Sequence, residues 1–307
     1  MKKLEINTAV HYNLMGKFGD EGVENMVRKV ILCLLQIVVQ YISGVLIFIF
    51  IGSLPVLLRD LTFDTEGYFK SIKDLAIKIF TLTGLTYNGQ HEMLPAVMGR
   101  FFYSMTTLGT ALIAATAAAF LLSYLLVLFF EKQKDYILSF IEIIRSVPDV
   151  LWMFLLQAVV IWVFKTFGVK FVQTTSLGTD HQAFLLPLIS LSLPLFLFLT
   201  QIIVLKIFEE LDQQYILLAK AKGLSYFYML NVHVLRNISQ DLQGHFKTIV
   251  WMMLSTLVMV EYIFNLDGLM LFNIKHISVE LFVFSCILFF TPFFLIYRLI
   301  DFRRLTL

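Results

Sequence analysis

Residues able to do chemistry are few in this 307-residue chain, and they do not gather. The six histidines fall singly, at His11, His91, His181, His233, His245 and His276, and no HExxH pair offers a metal two ligands on one helix face. Cys33 and Cys286 each lie in an apolar stretch, with no Cys-x-x-Cys and no Cys/His grouping at metal-ligand spacing. Gly16-Lys17-Phe18 is the only Gly-Lys pair, and it lacks the upstream glycine and the following Ser/Thr of a phosphate-binding loop. A Gly-x-Ser-x-Gly nucleophile turn is absent as well. The expectation is therefore no catalytic residue, no metal ligand and no cofactor in this chain. One ionisable group stands out by position: Glu261, alone near the end of an otherwise apolar run.

The elements that must position these residues follow from composition. Hydrophobic residues make up 59% of the chain and charged ones 15%, with mean hydropathy +0.82. A soluble domain holds about 45–50% apolar and about 25% charged residues. With 24 Lys+Arg against 22 Asp+Glu, the net charge of +2 is too balanced for a nucleic-acid binder. The expected fold is an all-α polytopic membrane protein. Six stretches have the length and apolarity to cross about 30 Å of hydrocarbon: Val30 to Leu58, Phe101 to Phe130, Val150 to Phe164, Phe184 to Leu205, Thr248 to Phe264 and Leu281 to Tyr297. The first has no small-x-small cleavage site and reads as a retained helix. Segments 1–29, 131–149, 206–247 and 298–307 hold 16 of the 24 Lys+Arg, so the positive-inside rule predicts both termini inside, N-in and C-in. The domains read as a cytoplasmic segment 1–29 and a six-span domain 30–307, with an outside loop 59–100 and a cytoplasmic loop 206–247.

Five of these six spans contain no Asp, Glu, Lys, Arg or His, and Glu261 is the exception. A charge at mid-bilayer costs about 2.5–3.5 kcal/mol on insertion scales, and ion-driven carriers commonly place such groups near the midplane. Energy coupling is thus expected to come from elsewhere. Glu261 is either a structural carboxylate bonded to the loop of Asn265 to Gly268 or an outer gate that meets a cargo amine. Trp251, Met252, Met253 and Met259 on the same span either line a path or pack against helices and lipid. In the outside loop, Phe69, Ile72, Ala76 and Ile79 fall on one helical face of Tyr68 to Phe80. That helix either lies on the outer membrane surface or faces an extracellular partner.

The cytoplasmic loop differs from the rest. Helix formers run from Leu211 to Lys222 and stop at Gly223, where a left-handed cap is cheapest because glycine has no Cβ. Ser225 is placed to cap a second helix toward Asn237. Ala219 and Ala221 keep the first helix slim, and Lys220 and Lys222 add charge that would also attract anionic lipid head groups.

The order of residues here closely resembles the cytoplasmic loop of ABC-transporter permeases, in particular the dipeptide/oligopeptide/nickel importer family. The matching positions are Tyr215, then Ala219-Lys220-Ala221-Lys222-Gly223-Leu224, then His233-Val234-Leu235-Arg236-Asn237. Val260-Glu261-Tyr262-Ile263-Phe264 with Asp267-Gly268-Leu269 is similar to that family's Glu-x-Ile-Phe-x-x-Pro-Gly-Leu stretch, and Asp301-Phe302-Arg303 to its Asp-Pro-Arg ending. Arg28 before the first span and the six-span layout agree. Asp267 and Phe302 stand where the family has proline, Gln240 near where a proline often follows, and Leu58-Arg59-Asp60-Leu61 where its Pro-Gly-Asp-Pro is found. The resemblance implies a permease subunit of an ATP-driven importer in a bacterial cytoplasmic membrane, with peptides the favoured cargo. It implies a second permease subunit, two cytoplasmic ATPase subunits that bind ATP and Mg, an extracellular substrate-binding protein, and no nucleic acid. Tyr215, Ala219, Lys220, Ala221, Lys222, Gly223 and Leu224 would form the ATPase-coupling contact, with His233, Arg236 and Asn237 supporting it. The alternatives are a self-contained secondary carrier or channel, or a non-transporting membrane scaffold that binds an ATPase.

Overall fold

The computed structural model describes residues 20–57, 63–87, 91–168 and 184–306. His11, Gly16-Lys17-Phe18, Leu58-Arg59-Asp60-Leu61 and His181 lie outside the described residues. The chain divides into two compact units, residues 1–81 and residues 82–307.

In the first unit, α1 (Asp20–Leu57) is a single helix that runs through residue 29, where the sequence reading placed a segment boundary. Its residues 31–57 are long and apolar enough to cross a membrane. Helix α2 (Thr65–Thr81) is capped by Asp64, whose Oδ1 accepts from the Gly67 N–H at 2.8 Å. Two hydroxyls turn it onto α1: Tyr68 donates to the Phe50 carbonyl at 3.3 Å and Ser71 to Ser53 at 3.4 Å. The face this buries carries Leu75 and Ile79, with Tyr68, Ser71 and Ile72 half-buried. Phe69 points away at 66% exposure, so the apolar face expected around it is rotated by about one residue. Hydroxyl pairing with α1, which hydrophobic periodicity does not register, sets that rotation.

The second unit opens with a two-residue antiparallel pairing of β1 (Thr86–Tyr87) and β2 (His91–Glu92). Then come α3 (Met93–Phe130), a 3₁₀ turn (Glu131–Gln133), α4 (Lys134–Arg145), α5 (Asp149–Phe167) and α6 (Leu185–Leu211). A short α7 (Gln214–Ala221) follows, and α8 (Tyr226–Tyr228) passes through a π-helical stretch (Met229–Val234) into α9 (Leu235–Gly244). Helices α10 (Phe246–Ile263), α11 (Leu269–Lys275) and α12 (Val279–Thr306) complete the unit.

Membrane-length apolar helices number six among the described residues: α1, α3, α5, α6, α10 and α12. All six expected spans are present. The second starts eight residues earlier, at Met93, and the fourth runs on to Leu211.

Helix α6 is the hub, packing against α3, α4, α5, α9 and α10. In a membrane, where lipid is as apolar as leucine, close helix association depends on small residues that let backbones approach. Helix α3 supplies them every fourth position: Ala111, Ala115, Ala119 and Ser123 are all buried. Ser123 Oγ donates across to the Thr200 carbonyl of α6 at 3.3 Å. Helix α4 was not foreseen; Ile137 and Ile141, one turn apart, anchor it to α6 among residues that otherwise read as a charged connection.

Candidate functional site

The loop between α6 and α10 is built from its own short-range bonds. Helix formers continue past Leu211, yet α6 ends there and α7 begins anew at Gln214. Glu209, Glu210 and Asp212 crowd the end of α6, where carboxylates oppose the helix dipole. Gln213 is extended (φ −72°, ψ 147°), and its side-chain amide donates to the Glu209 carbonyl that the ended helix leaves open. The expected single helix from Leu211 to Lys222 is therefore shorter.

The expected stop at Gly223 is present in full. Gly223 has φ +76°, a conformation that costs a residue with a Cβ about 1–2 kcal/mol. The Leu224 N–H reaches back to the Ala219 carbonyl at 3.2 Å and the Gly223 N–H to the Lys220 carbonyl at 3.0 Å, the two bonds of a Schellman cap. Ser225 Oγ then accepts from the Tyr228 N–H at 3.3 Å and starts the return helix. That helix extends to Gly244, past the expected Asn237, and its middle turn is π-helical with Met229, Leu230 and Val234 buried.

Side chains sort cleanly into two faces. Ile216 and Ala219 point into the chain's own core, so Ala219 contributes to holding α7 in place and not to an open surface. Tyr215, Lys220, Ala221, Lys222, Gly223 and Leu224 are exposed. Leu217 and Leu218, which the sequence reading did not single out, are 56% and 58% exposed beside them. Phe227, Tyr228 and Val232 extend the apolar surface on the return helix.

His233 and Asn237, expected to support the loop, lie beside Tyr215. Asn237 donates from its amide to the Tyr215 hydroxyl at 3.0 Å and to Glu210 at 3.4 Å, and Tyr215 donates to the same Glu210 carboxylate. Burial, followed by the Glu210 carboxylate, pushes the Tyr215 phenol up to about 12, so it stays a donor across the physiological range. His233 stands edge-on to the rings of both Tyr215 and Tyr228. Tyr215, Val232, His233, Arg236 and Asn237 line an open cleft of about 420 Å³. Glu210 was missed; its signal is its place five residues before Tyr215, across the turn at Asp212. The loop is tied to the rest of its unit by Lys134 to Asp212 at 3.5 Å and by Asn231 to the Tyr124 hydroxyl at 3.1 Å.

At the other end of these helices, Glu261 is fully buried. The Ser104 hydroxyl of α3 donates to its Oε1 at 2.5 Å, and the Leu271 N–H donates to its Oε2 at 3.0 Å. Ser104 also accepts from the Leu269 N–H at 2.9 Å. The carboxylate's hydrogen-bond partners are therefore α3 and the first turn of α11, and not the loop of Asn265 to Gly268. Gly268 is explained by the same contact, since a Cβ there would fall inside the Glu261 carboxylate. Asp267, one residue earlier, accepts from Arg100 Nε at 2.7 Å, and the Arg100 guanidinium lies 4.3 Å above the Phe272 ring. On α10, Trp251 and Met259 are exposed, Met252 is half-buried and Met253 is buried.

Residues 127–305, more than half of the chain, match the family model described as "Binding-protein-dependent transport system inner membrane component". No curated protein matches the chain.

Proposed function

Because this chain belongs to the inner membrane components of binding-protein-dependent transport systems, we propose that it is the translocating subunit of an ATP-driven importer whose α7 loop docks on a cytoplasmic ATPase. The family is that of ABC importer permeases, which work with an ATPase and a substrate-binding protein. The carrying observation is the capped α7, with an apolar patch flanked by two lysines on a segment outside the six spans. An exposed apolar patch of that kind marks a protein or membrane contact, and a place outside the six spans favours the protein. Tyr215, Leu217, Leu218, Lys220, Ala221, Lys222 and Leu224 form the contact. Gly223 aims the helix, and His233, Arg236 and Asn237 brace it from behind.

In this reading both termini and the α7 loop face the cytoplasm, and two ATPase subunits bind ATP and Mg²⁺ and close on one another. Each closure moves a docked α7, and through α6 the spans, between outward- and inward-facing arrangements. The chain supplies half of the path and a second permease subunit the other half, in a bacterial cytoplasmic membrane. The loop's agreement with the dipeptide/oligopeptide/nickel group favours peptides delivered by an extracellular binding protein.

The test is purification of the chain from its native membrane in mild detergent, with the co-purifying proteins identified and their ATP hydrolysis measured with and without a peptide mixture. An ATPase and a second six-span chain, with hydrolysis stimulated by peptides, is the expected result. In the same experiment Leu218→Asp should lose the ATPase at least tenfold while still inserting. A chain recovered alone would overturn the proposal and favour a carrier or a scaffold.

A further inference from the structure

Among the described residues, charged side chains other than the buried Glu261 are kept out of the hydrophobic middle with one exposed exception, at the junction of α4 and α5. Arg145 is the last residue of α4 and Asp149 the first of α5, joined through Ser146, Val147 and an extended Pro148. Two neighbouring helices report how deep this junction lies. Thr256 of α10 donates to Asp149 Oδ2 at 3.4 Å, and Thr256 stands nine residues beyond Lys247, about 13 Å along the helix. Arg145 donates to Gln201 Oε1 of α6 and lies 5.1 Å over the Phe198 ring. Gln201 is five residues from Lys206, about 7 Å along its helix. Half of a hydrocarbon core is about 15 Å. Asp149 therefore sits near the midplane and Arg145 about a turn nearer the loop end, so α4 and α5 together make the third crossing, and Arg145, expected in the inside segment 131–149, belongs to it.

Neither charge is enclosed: Arg145 and Ser146 are exposed, and Asp149, Gln201 and Phe198 are partly so. A charge presented to lipid at this depth is strongly disfavoured. Other exposed positions in the spans look different; Ile113 and Leu121 on α3 are aliphatic. We infer that the α4–α5 junction lines a water-filled path and is a two-charge subsite, Asp149 taking a cationic group of the cargo and Arg145 an anionic one. Ser146 and Gln201 offer neutral hydrogen bonds beside them. The cargo class is a zwitterion that carries both groups, such as a short peptide. The existence of a path rests on the permease reading; the charged subsite does not follow from it.

The test uses the full chain in its native membrane, with Cys33→Ala and Cys286→Ala as background. Ser146→Cys should react with a sulfonated, membrane-impermeant thiosulfonate, and millimolar trialanine should slow that reaction at least fivefold. Ile113→Cys, at one of those aliphatic positions, should not react. Asp149→Asn and Arg145→Gln should each cut labelled trialanine uptake at least tenfold, with the second permease subunit still co-purifying. An unreactive Ser146→Cys overturns the inference, as does undiminished uptake in both charge variants. Loss of the second permease from the charge variants also overturns it, since the charges would then serve subunit pairing. Failure of the importer reading is a separate result, a wild-type chain that retains no ATPase on purification, and the Ser146→Cys labelling then decides the subsite alone.

Discussion

Glu261 gathers the Ser104 hydroxyl and the Met270 and Leu271 N–H groups into a fully buried space, and its neighbours are chosen around it. Removing it leaves the Ser104 hydroxyl and the Leu271 N–H without an acceptor, and each buried orphan costs about 1–3 kcal/mol. Glu261→Ala should therefore lower the thermal aggregation midpoint of the detergent-solubilised protein by many degrees. Glu261→Gln keeps an acceptor oxygen and should lower it much less. Gly268→Ala should be as damaging as Glu261→Ala, because the new methyl overlaps the carboxylate. The double variant should recover part of that loss, a coupling that thermal scans of all four proteins would read directly. Sequence patterning marks Glu261 as unusual but leaves its partners open. Ser104 lies 157 residues away, and nothing local announces that a serine among threonines and alanines will meet it.

Elements obey rules that are easier to read from the chain. The stop of α7 is legible because a single residue type satisfies φ +76° cheaply. Gly223→Val should strain that cap by about 1–2 kcal/mol and misaim α7. Transport-coupled ATP hydrolysis should fall severalfold while membrane insertion, followed by blotting, is unchanged. Equal hydrolysis in variant and wild type would separate the cap from coupling. The four-residue spacing of Ala111, Ala115, Ala119 and Ser123 has the same legibility in retrospect, since it fits only a close partner helix. Ala115→Leu should overpack the α3–α6 contact by about 1–3 kcal/mol and reduce the yield of folded protein in a size-exclusion assay. The rotation of α2 and the break before α7 were hidden for the opposite reason. Both turn on hydroxyl and amide bonds to neighbours that apolar periodicity does not weigh.

Across the whole molecule, all six spans were readable because hydrocarbon thickness sets their length. What joins them was not. The Arg100–Asp267 pair, the edge-on packing of Tyr87 against Phe272 and His276, and the depth of the α4–α5 junction all bring together residues distant in sequence. Asp267 illustrates the point: it stands where the resembling family has proline, and the fold gives it an arginine partner. The buried carboxylate has a last consequence, in the order of events during synthesis. As the ribosome extends the chain, α3 is made long before α10, so the Ser104 hydroxyl is in place when Glu261 emerges. The Leu271 N–H that completes its coordination is made ten residues later. For that interval the carboxylate has only part of its cover, and the short stretch from Gly268 to Leu271 closes the last open side of a structure begun more than 150 residues earlier.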